Sequence, residues 1–149
     1  MIHCIKIQCI KEAAIMKKKR IVQSIILFMV ISIFYLQYGR EMNVTNEHSV
    51  TTGGFQSQNI TVVLNKVFVR NKEKCGKEII EKCRNNSFSS IDFCYSYRKP
   101  NEIYGIVYLS DLTYNMQKPL FEFTYLQNKN ATEKYNIINN PDKFVLKIK

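Results

Sequence analysis

Apolar residues follow two different patterns along this chain. Residues 21–36 form an almost continuous apolar run, interrupted only by Gln23, Ser24 and Ser32. Beyond residue 58, apolar positions instead alternate with polar ones or recur at helical spacing. A long continuous run is typical of a segment that enters a membrane, whereas alternation is typical of half-buried strands. The pattern therefore predicts an apolar helix and, after it, a separate folded domain.

The apolar run is preceded directly by four cations at residues 17–20. As a helix, residues 21–36 would span ~24 Å, and residues 37–39 bring the segment close to the ~30 Å hydrocarbon core. Lys and Arg flanks normally stay in the cytoplasm, so we expect the carboxyl-terminal part on the opposite side. The exit carries Gln37 and Gly39 rather than two small residues at cleavage spacing. We therefore predict an uncleaved signal anchor over residues 16–39, with a cleaved, secreted form as the alternative.

The first fifteen residues are predicted to be an upstream extension of the natural protein. Met16 followed by Lys-Lys-Lys-Arg is how exported bacterial proteins usually begin. Residues 11–15, Lys-Glu-Ala-Ala-Ile, can be encoded by codons that contain AGGAGG, the bacterial ribosome-binding consensus. We therefore expect translation to start at Met16 in a bacterium; the alternative is that residues 1–15 form a short cytoplasmic tail.

Residues 40–58 are rich in Asn, Thr, Ser and Gly, and this composition predicts a flexible linker. The remaining residues 59–149 are numerous enough for one small domain with its own core. Residues 59–69 alternate and are β-branched, which predicts a strand. Residues 72–84, capped by Asn71, place apolar side chains on one face and predict an amphipathic helix. The inward residues are expected to be Cys75, Ile79, Ile80 and Cys83.

Four further strands are predicted from alternation, over residues 90–97, 103–110, 120–126 and 143–148. A turn at residues 98–102 would join the first two as a hairpin, and residues 128–133 are predicted to form a polar loop. The order after the anchor and linker is β-α-β-β-β-β. This order predicts an α+β domain in which one helix packs on a small, mostly antiparallel sheet.

The net charge of +10 is concentrated before the predicted domain. Residues 1–40 hold seven of the 22 cations and one of the twelve anions, which leaves 15 cations and 11 anions beyond them. Those later charges are interspersed, as on an ordinary solvated surface. We therefore expect no nucleic-acid partner; the expected partners are the membrane and an envelope protein or wall polymer.

Residue types for catalysis and cofactor binding are scarce in residues 59–149. The two histidines, His3 and His48, fall before this domain, and the glycines form no phosphate-binding motif. The cysteines lack the number and spacing of a zinc site. We therefore predict no catalytic, cofactor or metal residues, with a small carboxylate-dependent hydrolase as an alternative. Its candidate acids would be Asp92, Glu102, Asp111 and Glu122.

Three cysteines lie in the predicted domain. Cys75 and Cys83 would be ~12 Å apart along one helix, too far for a disulfide that needs Cα atoms within ~7 Å. Cys83 with Cys94, or Cys75 with Cys94, could pair in an oxidising compartment. Three reduced thiols are the alternative, and we favour it.

Tyrosines and cations cluster in the predicted strands and the turn between them. Tyrosine beside a cation is common at protein interfaces and carbohydrate-binding surfaces. The sequence thus suggests an interaction surface, whereas burial of these rings in the core face of the sheet, with their hydroxyls reaching solvent, is the explanation that we favour. The residues of this surface are Tyr95, Tyr97, Arg98, Lys99, Tyr104 and Tyr108. The function expected is binding at the cell envelope without catalysis; a secreted inhibitor or immunity-type protein is the alternative.

Overall fold

The computed structural model describes residues 2–128 and 135–149, with side chains from residue 16 onward. It divides into two compact units, Met1–Gly39 and Arg40–Lys149. Residues 129–134 lie outside the described residues, and they include residues 129–133 of the predicted polar loop.

The first unit is a single helix, α1 (Ile2–Tyr38). Its segment Met16–Tyr38 is 23 residues long, or ~35 Å, and is apolar enough to cross a membrane or to serve as a signal sequence. The apolar side chains are exposed, with Phe28 at 72% and Phe34 at 65%. Ser24 and Ser32 donate their hydroxyls to backbone carbonyls one turn earlier, which satisfies these polar groups within the helix.

The second unit is α+β, as predicted, with a five-stranded sheet in the part of the chain described. The strands lie in chain order: β1 (Asn43–Thr52), β2 (Phe55–Val63), β3 (Glu102–Tyr108), β4 (Phe121–Gln127) and β5 (Phe144–Ile148). Pairing is antiparallel except between β2 and β3, which are parallel. Parallel neighbours need a long crossover, and here it contains the helix α2 (Lys72–Asn85). Two short helical turns, α3 (Asp111–Asn115) and a 3₁₀ turn at Pro141–Lys143, precede β4 and β5.

Helix α2 follows the predicted pattern closely. The side chain of Asn71 accepts a hydrogen bond from the Lys74 N–H at 2.8 Å and caps the helix. The predicted inward residues of α2 are all buried, and they pack on the face of β4 and β5. The core of the unit includes Ile60, Val62, Leu64, Ile79, Ile103, Val107, Phe121, Phe123 and Ile137.

The predicted flexible linker is a β-hairpin instead. Residues 43–52 form the edge strand β1, and β2 begins at Phe55, four residues before the predicted start of the domain. Gly53 and Gly54 connect the strands with φ values of +55° and +82°, which glycine adopts without strain. A strand at the sheet edge needs few apolar side chains, because most of its residues face water. The low apolar content of these residues therefore did not reflect disorder.

The predicted strand over residues 90–97 was also wrong, and with it the hairpin to residues 103–110. This segment is irregular and ends in a turn, whereas β3 pairs with β2 and β4. A side chain satisfies the backbone of Phe93 within it: Asn86 accepts a hydrogen bond from the Phe93 N–H at 2.8 Å and donates one to the Phe93 carbonyl at 3.1 Å. Phe93 is buried, so alternation here reflects packing of a loop and not a strand.

Candidate functional site

A concavity of the second unit lies between the β1–β2 hairpin and the irregular segment at residues 91–98. Its volume is about 790 Å³, within the range of small-ligand sites. We call it the polar groove. Strand β1 contributes Glu47, Ser49 and Thr51, strand β2 contributes Gln56 and Gln58, and the segment contributes Ile91, Asp92, Phe93, Cys94, Tyr95, Tyr97 and Arg98.

Strand periodicity explains why polar side chains reach the groove. Glu47, Ser49 and Thr51 are spaced two apart on β1 and therefore share one face of the sheet. Ser49 is opposite Gln58 in the antiparallel register, which continues this face onto β2. Farther along β2, the same face carries the buried core residues. The groove is thus the polar extension of the sheet face that elsewhere packs against α2.

A chain of hydrogen bonds fixes the floor of the groove. The Tyr95 hydroxyl donates to Gln58 Oε1 at 3.5 Å, and Gln58 Nε2 donates to Glu47 Oε1 at 3.5 Å. The Ser49 hydroxyl donates to the same carboxylate oxygen. Gln58 is only 2% exposed, so its orientation is set by these partners. The network holds side chains from three segments in one arrangement.

One acceptor in the groove lining lacks a partner. Gln56 Oε1 is buried and has no hydrogen-bond partner among the described residues. The backbone of Gln56 is satisfied, because its N–H donates to Asn101 Oδ1 at 2.8 Å and its carbonyl accepts from the Asn101 N–H at 2.8 Å. An unsatisfied buried acceptor costs ~1–3 kcal/mol, so this side chain would gain from a donor.

Aromatic side chains pack together on the side of the groove that is formed by residues 91–98. The ring of Tyr95 stacks on Phe93 with centroids 5.5 Å apart and an interplanar angle of 19°, and Phe88 meets Phe93 edge-on. Burial raises the pKa of Tyr95 well above its usual range, so its hydroxyl stays a neutral donor. Tyr97, two residues on, is 93% exposed. This side of the groove therefore presents one fixed ring and one ring open to solvent.

The six predicted surface residues do not lie together. Tyr95, Tyr97 and Arg98 line the polar groove. Lys99 donates to Asn139 Oδ1 at 2.8 Å outside it. The two β3 tyrosines are elsewhere: the Tyr104 hydroxyl donates to Glu102 Oε2 at 3.3 Å on the opposite sheet face, and Tyr108 is buried edge-on against Tyr114.

Five groove residues were missed because they fall in the predicted linker: Glu47, Ser49, Thr51, Gln56 and Gln58. The Gly53-Gly54 pair between Val- and Thr-containing stretches is a two-residue hairpin signal, and it could have revealed them.

The four candidate acids are dispersed. Asp92 lines the polar groove and accepts a hydrogen bond from Asn86 Nδ2. Glu102 accepts from Tyr104, and Asp111 forms an ion pair with Arg40 at 3.8 Å. Glu122 lines a smaller concavity of about 350 Å³ on the opposite sheet face. The carboxylate that shares the polar groove with Asp92 is Glu47.

The smaller concavity contains the histidine that the sequence placed in a linker. His48 lies on β1, paired with Asn59, and is exposed. It lines this concavity with Tyr104, Glu122 and others. Among the described residues, no group of three or more His, Cys, Asp or Glu side chains could hold a metal ion.

Cys75, Cys83 and Cys94 are free thiols in this structure, so neither candidate disulfide is formed. Cys75 and Cys83 are buried on α2, and burial raises their pKa values to about 11 and about 12. Cys94 is exposed beside the groove, with its sulfur 3.6 Å from the Ser96 hydroxyl. The three thiols thus differ sharply in accessibility.

In comparison with known proteins, the chain matches no family model, and no curated sequence or solved structure is significantly similar to it. Its function must therefore be argued from the chemistry of the site.

Proposed function

We propose that this chain is a bacterial membrane-anchored binding protein, whose second unit lies outside the cytoplasm and binds a component of the cell envelope without catalysis. The observation that carries the proposal is the combination of an exposed apolar helix with a polar groove in the unit that follows it in sequence.

The location is supported by the charge pattern around α1. Residues 17–20 are all cations and precede the apolar segment, and positive flanks are retained in the cytoplasm. The exposed apolar side chains of α1 form a surface far larger than a soluble monomer tolerates. Lipid would cover that surface, and the second unit would then lie on the outer side.

Binding is supported by how the groove is built. Gln58 is buried and the ring of Tyr95 is stacked on Phe93, so both side chains are positioned before a ligand binds. Arg98 and the exposed Tyr97 add a cation and a contact surface. Two carboxylates, Glu47 and Asp92, also line it, which disfavours a nucleic-acid partner.

The proposal is tested by photo-crosslinking in intact cells. The photoreactive amino acid p-benzoylphenylalanine replaces Tyr97 in the groove or, as a matched control, Tyr104 on the opposite sheet face. We expect adducts with an envelope component from position 97 and none from position 104. Equal adducts from both positions, or none from position 97, would refute the groove as a binding site.

A further inference from the structure

The polar groove narrows the chemistry of its ligand, an inference that rests on the binding function proposed above. Charge is the first restriction. Glu47 and Asp92 carry two negative charges against the single positive charge of Arg98. A polyanion, such as a phosphate-bearing wall polymer, would meet repulsion from both carboxylates. The groove therefore favours a ligand without negative charge.

Hydrogen-bonding capacity is the second restriction. The groove lining offers amides, hydroxyls, carboxylates and a guanidinium, which together donate to and accept from a ligand. Gln56 adds an acceptor with no partner among the described residues. A small movement of this side chain would let a ligand N–H or O–H supply the missing donor. Such a mixture suits a ligand that carries many hydroxyl and amide groups.

Shape and aromatic surface are the third restriction. Tyr97 is 93% exposed, so its ring offers a flat apolar face to anything that enters. Rings of this kind bury C–H surfaces while their hydroxyls stay hydrated. The faces of pyranose rings present such C–H surfaces, with hydroxyls around the edge.

We propose that the polar groove binds a neutral glycan that carries N-acetyl groups, with one sugar against Tyr97 and an acetamide N–H donating to Gln56. In this arrangement Arg98 donates to ligand oxygens, and Glu47 and Asp92 accept from hydroxyls. No bond in the glycan is broken.

The test uses the full chain in detergent micelles, titrated calorimetrically with chitotetraose, a neutral chain of four N-acetylglucosamine units. We expect a dissociation constant below about 1 mM. Tyr97→Ala should weaken binding by about tenfold or more, because a 1.4 kcal/mol contact is worth that factor. Tyr104→Ala, which removes a ring from the opposite sheet face, should change it by less than about twofold, since substitutions outside the interface are near-neutral.

Gln56→Leu separates binding from folding. It removes the unsatisfied acceptor, so the chain should unfold at an equal or higher urea concentration while chitotetraose binds more weakly. Weaker binding together with lower stability would contradict the role assigned to Gln56. Weaker binding without any loss of stability would not arise from a merely structural residue.

Two competitor ligands complete the design. Tetralysine, a cationic peptide, and polyphosphate, a polyanion, are titrated under the same conditions. Tighter binding of either than of chitotetraose would overturn the proposal, as would the absence of chitotetraose binding up to about 10 mM. If position 97 still crosslinks in cells in that case, the binding function stands and only the glycan is refuted. Release of new reducing ends from chitotetraose would contradict the non-catalytic function instead.

Discussion

Substitution of Gly105 by alanine should destabilise the second unit through a single steric clash. Gly105 lies on β3 directly opposite Phe123 on β4. A Cβ atom at this position would lie 2.0 Å from Phe123 Cε1 and 2.2 Å from Cζ. Carbon atoms pack at ~3.5–4.0 Å, and Phe123 is 1% exposed, so the ring cannot move aside freely.

The magnitude follows from two opposing terms. Overpacking a buried site costs ~1–3 kcal/mol. Replacing glycine by alanine also restricts the unfolded chain, which raises the free energy of unfolding by ~0.4–1 kcal/mol. We therefore expect Gly105→Ala to lower the free energy of unfolding by about 1–2 kcal/mol.

A double-mutant cycle isolates the clash. Phe123→Leu removes the two ring atoms nearest to the added methyl, and it replaces the ring Cδ1 atom, 2.7 Å away, by a leucine methyl that can rotate aside. Gly105→Ala should therefore cost less in that background. We expect a coupling free energy of about 1–2 kcal/mol between the two positions. The assay is urea denaturation of the full chain followed by near-ultraviolet circular dichroism of its nine tyrosines, since the chain has no tryptophan.

The matched control is Gly76→Ala in α2. Its Cβ would lie 3.0 Å from Ile148 Cδ1 and 3.1 Å from Leu146 Cδ2, the ends of flexible, partly exposed side chains. Alanine is the better helix former by ~1 kcal/mol, so stability should be unchanged or slightly higher. If Gly105→Ala lowers stability by the same amount with and without the Phe123 ring, the described packing of β3 against β4 is wrong.

Two further predictions concern the groove wall and the buried thiols. Asn86→Gly is compatible with the left-handed backbone at φ 50° but removes both side-chain hydrogen bonds to Phe93. It should lower the free energy of unfolding, measured by urea denaturation, by about 1–3 kcal/mol. An unchanged denaturation midpoint would contradict the role of Asn86 in holding this segment. Burial raises the pKa of Cys83 from 9.0 to about 12 and that of Cys75 to about 11, so between pH 9 and 11 the folded chain binds more protons than the unfolded one. Stability should therefore fall as pH rises, by at most about 1.4 kcal/mol per pH unit for each thiol, and the fall should be shallower in Cys83→Ala.

Helix α2 and strands β4 and β5 were predicted from the sequence within about two residues. Each of these elements has a local sequence signal, and the tertiary structure agrees with it. Asn71 caps α2, and Phe121, Phe123 and Tyr125 alternate on one buried face of β4. In α2 and β5 the buried side chains lie on one face, which is the condition that produces a clear period.

The pairing of β3 could not be predicted in the same way. Alternation shows that a segment has two faces, but it does not identify the neighbouring strand. The sequence suggested a hairpin from residues 90–97 to β3, whereas the chain crosses over through α2 and places β3 parallel to β2. This pairing separates Tyr104 from Tyr97, so the predicted surface was divided between two faces of the sheet.

Only part of the polar groove was predicted from the sequence. Tyr95, Tyr97 and Arg98 were identified because aromatic and cationic residues cluster there. Glu47 and Gln58 were hidden, because a polar edge strand has the composition of a linker. The Gly53-Gly54 turn was the local signal that distinguishes the two cases.

Whether the second unit lies outside the cytoplasm can be measured with the native cysteines of that unit. Cys94 is exposed, whereas Cys75 and Cys83 are buried with raised pKa values and should not react. Cys4 and Cys9, which precede the apolar segment, are first replaced by serine so that they cannot react. Intact cells expressing this variant are treated with a membrane-impermeant maleimide, and the same variant with Cys94→Ser is the control. We expect labelling in intact cells and its loss when Cys94→Ser is added. Labelling of Cys94 only after the cells are permeabilised would contradict a location outside the cytoplasm.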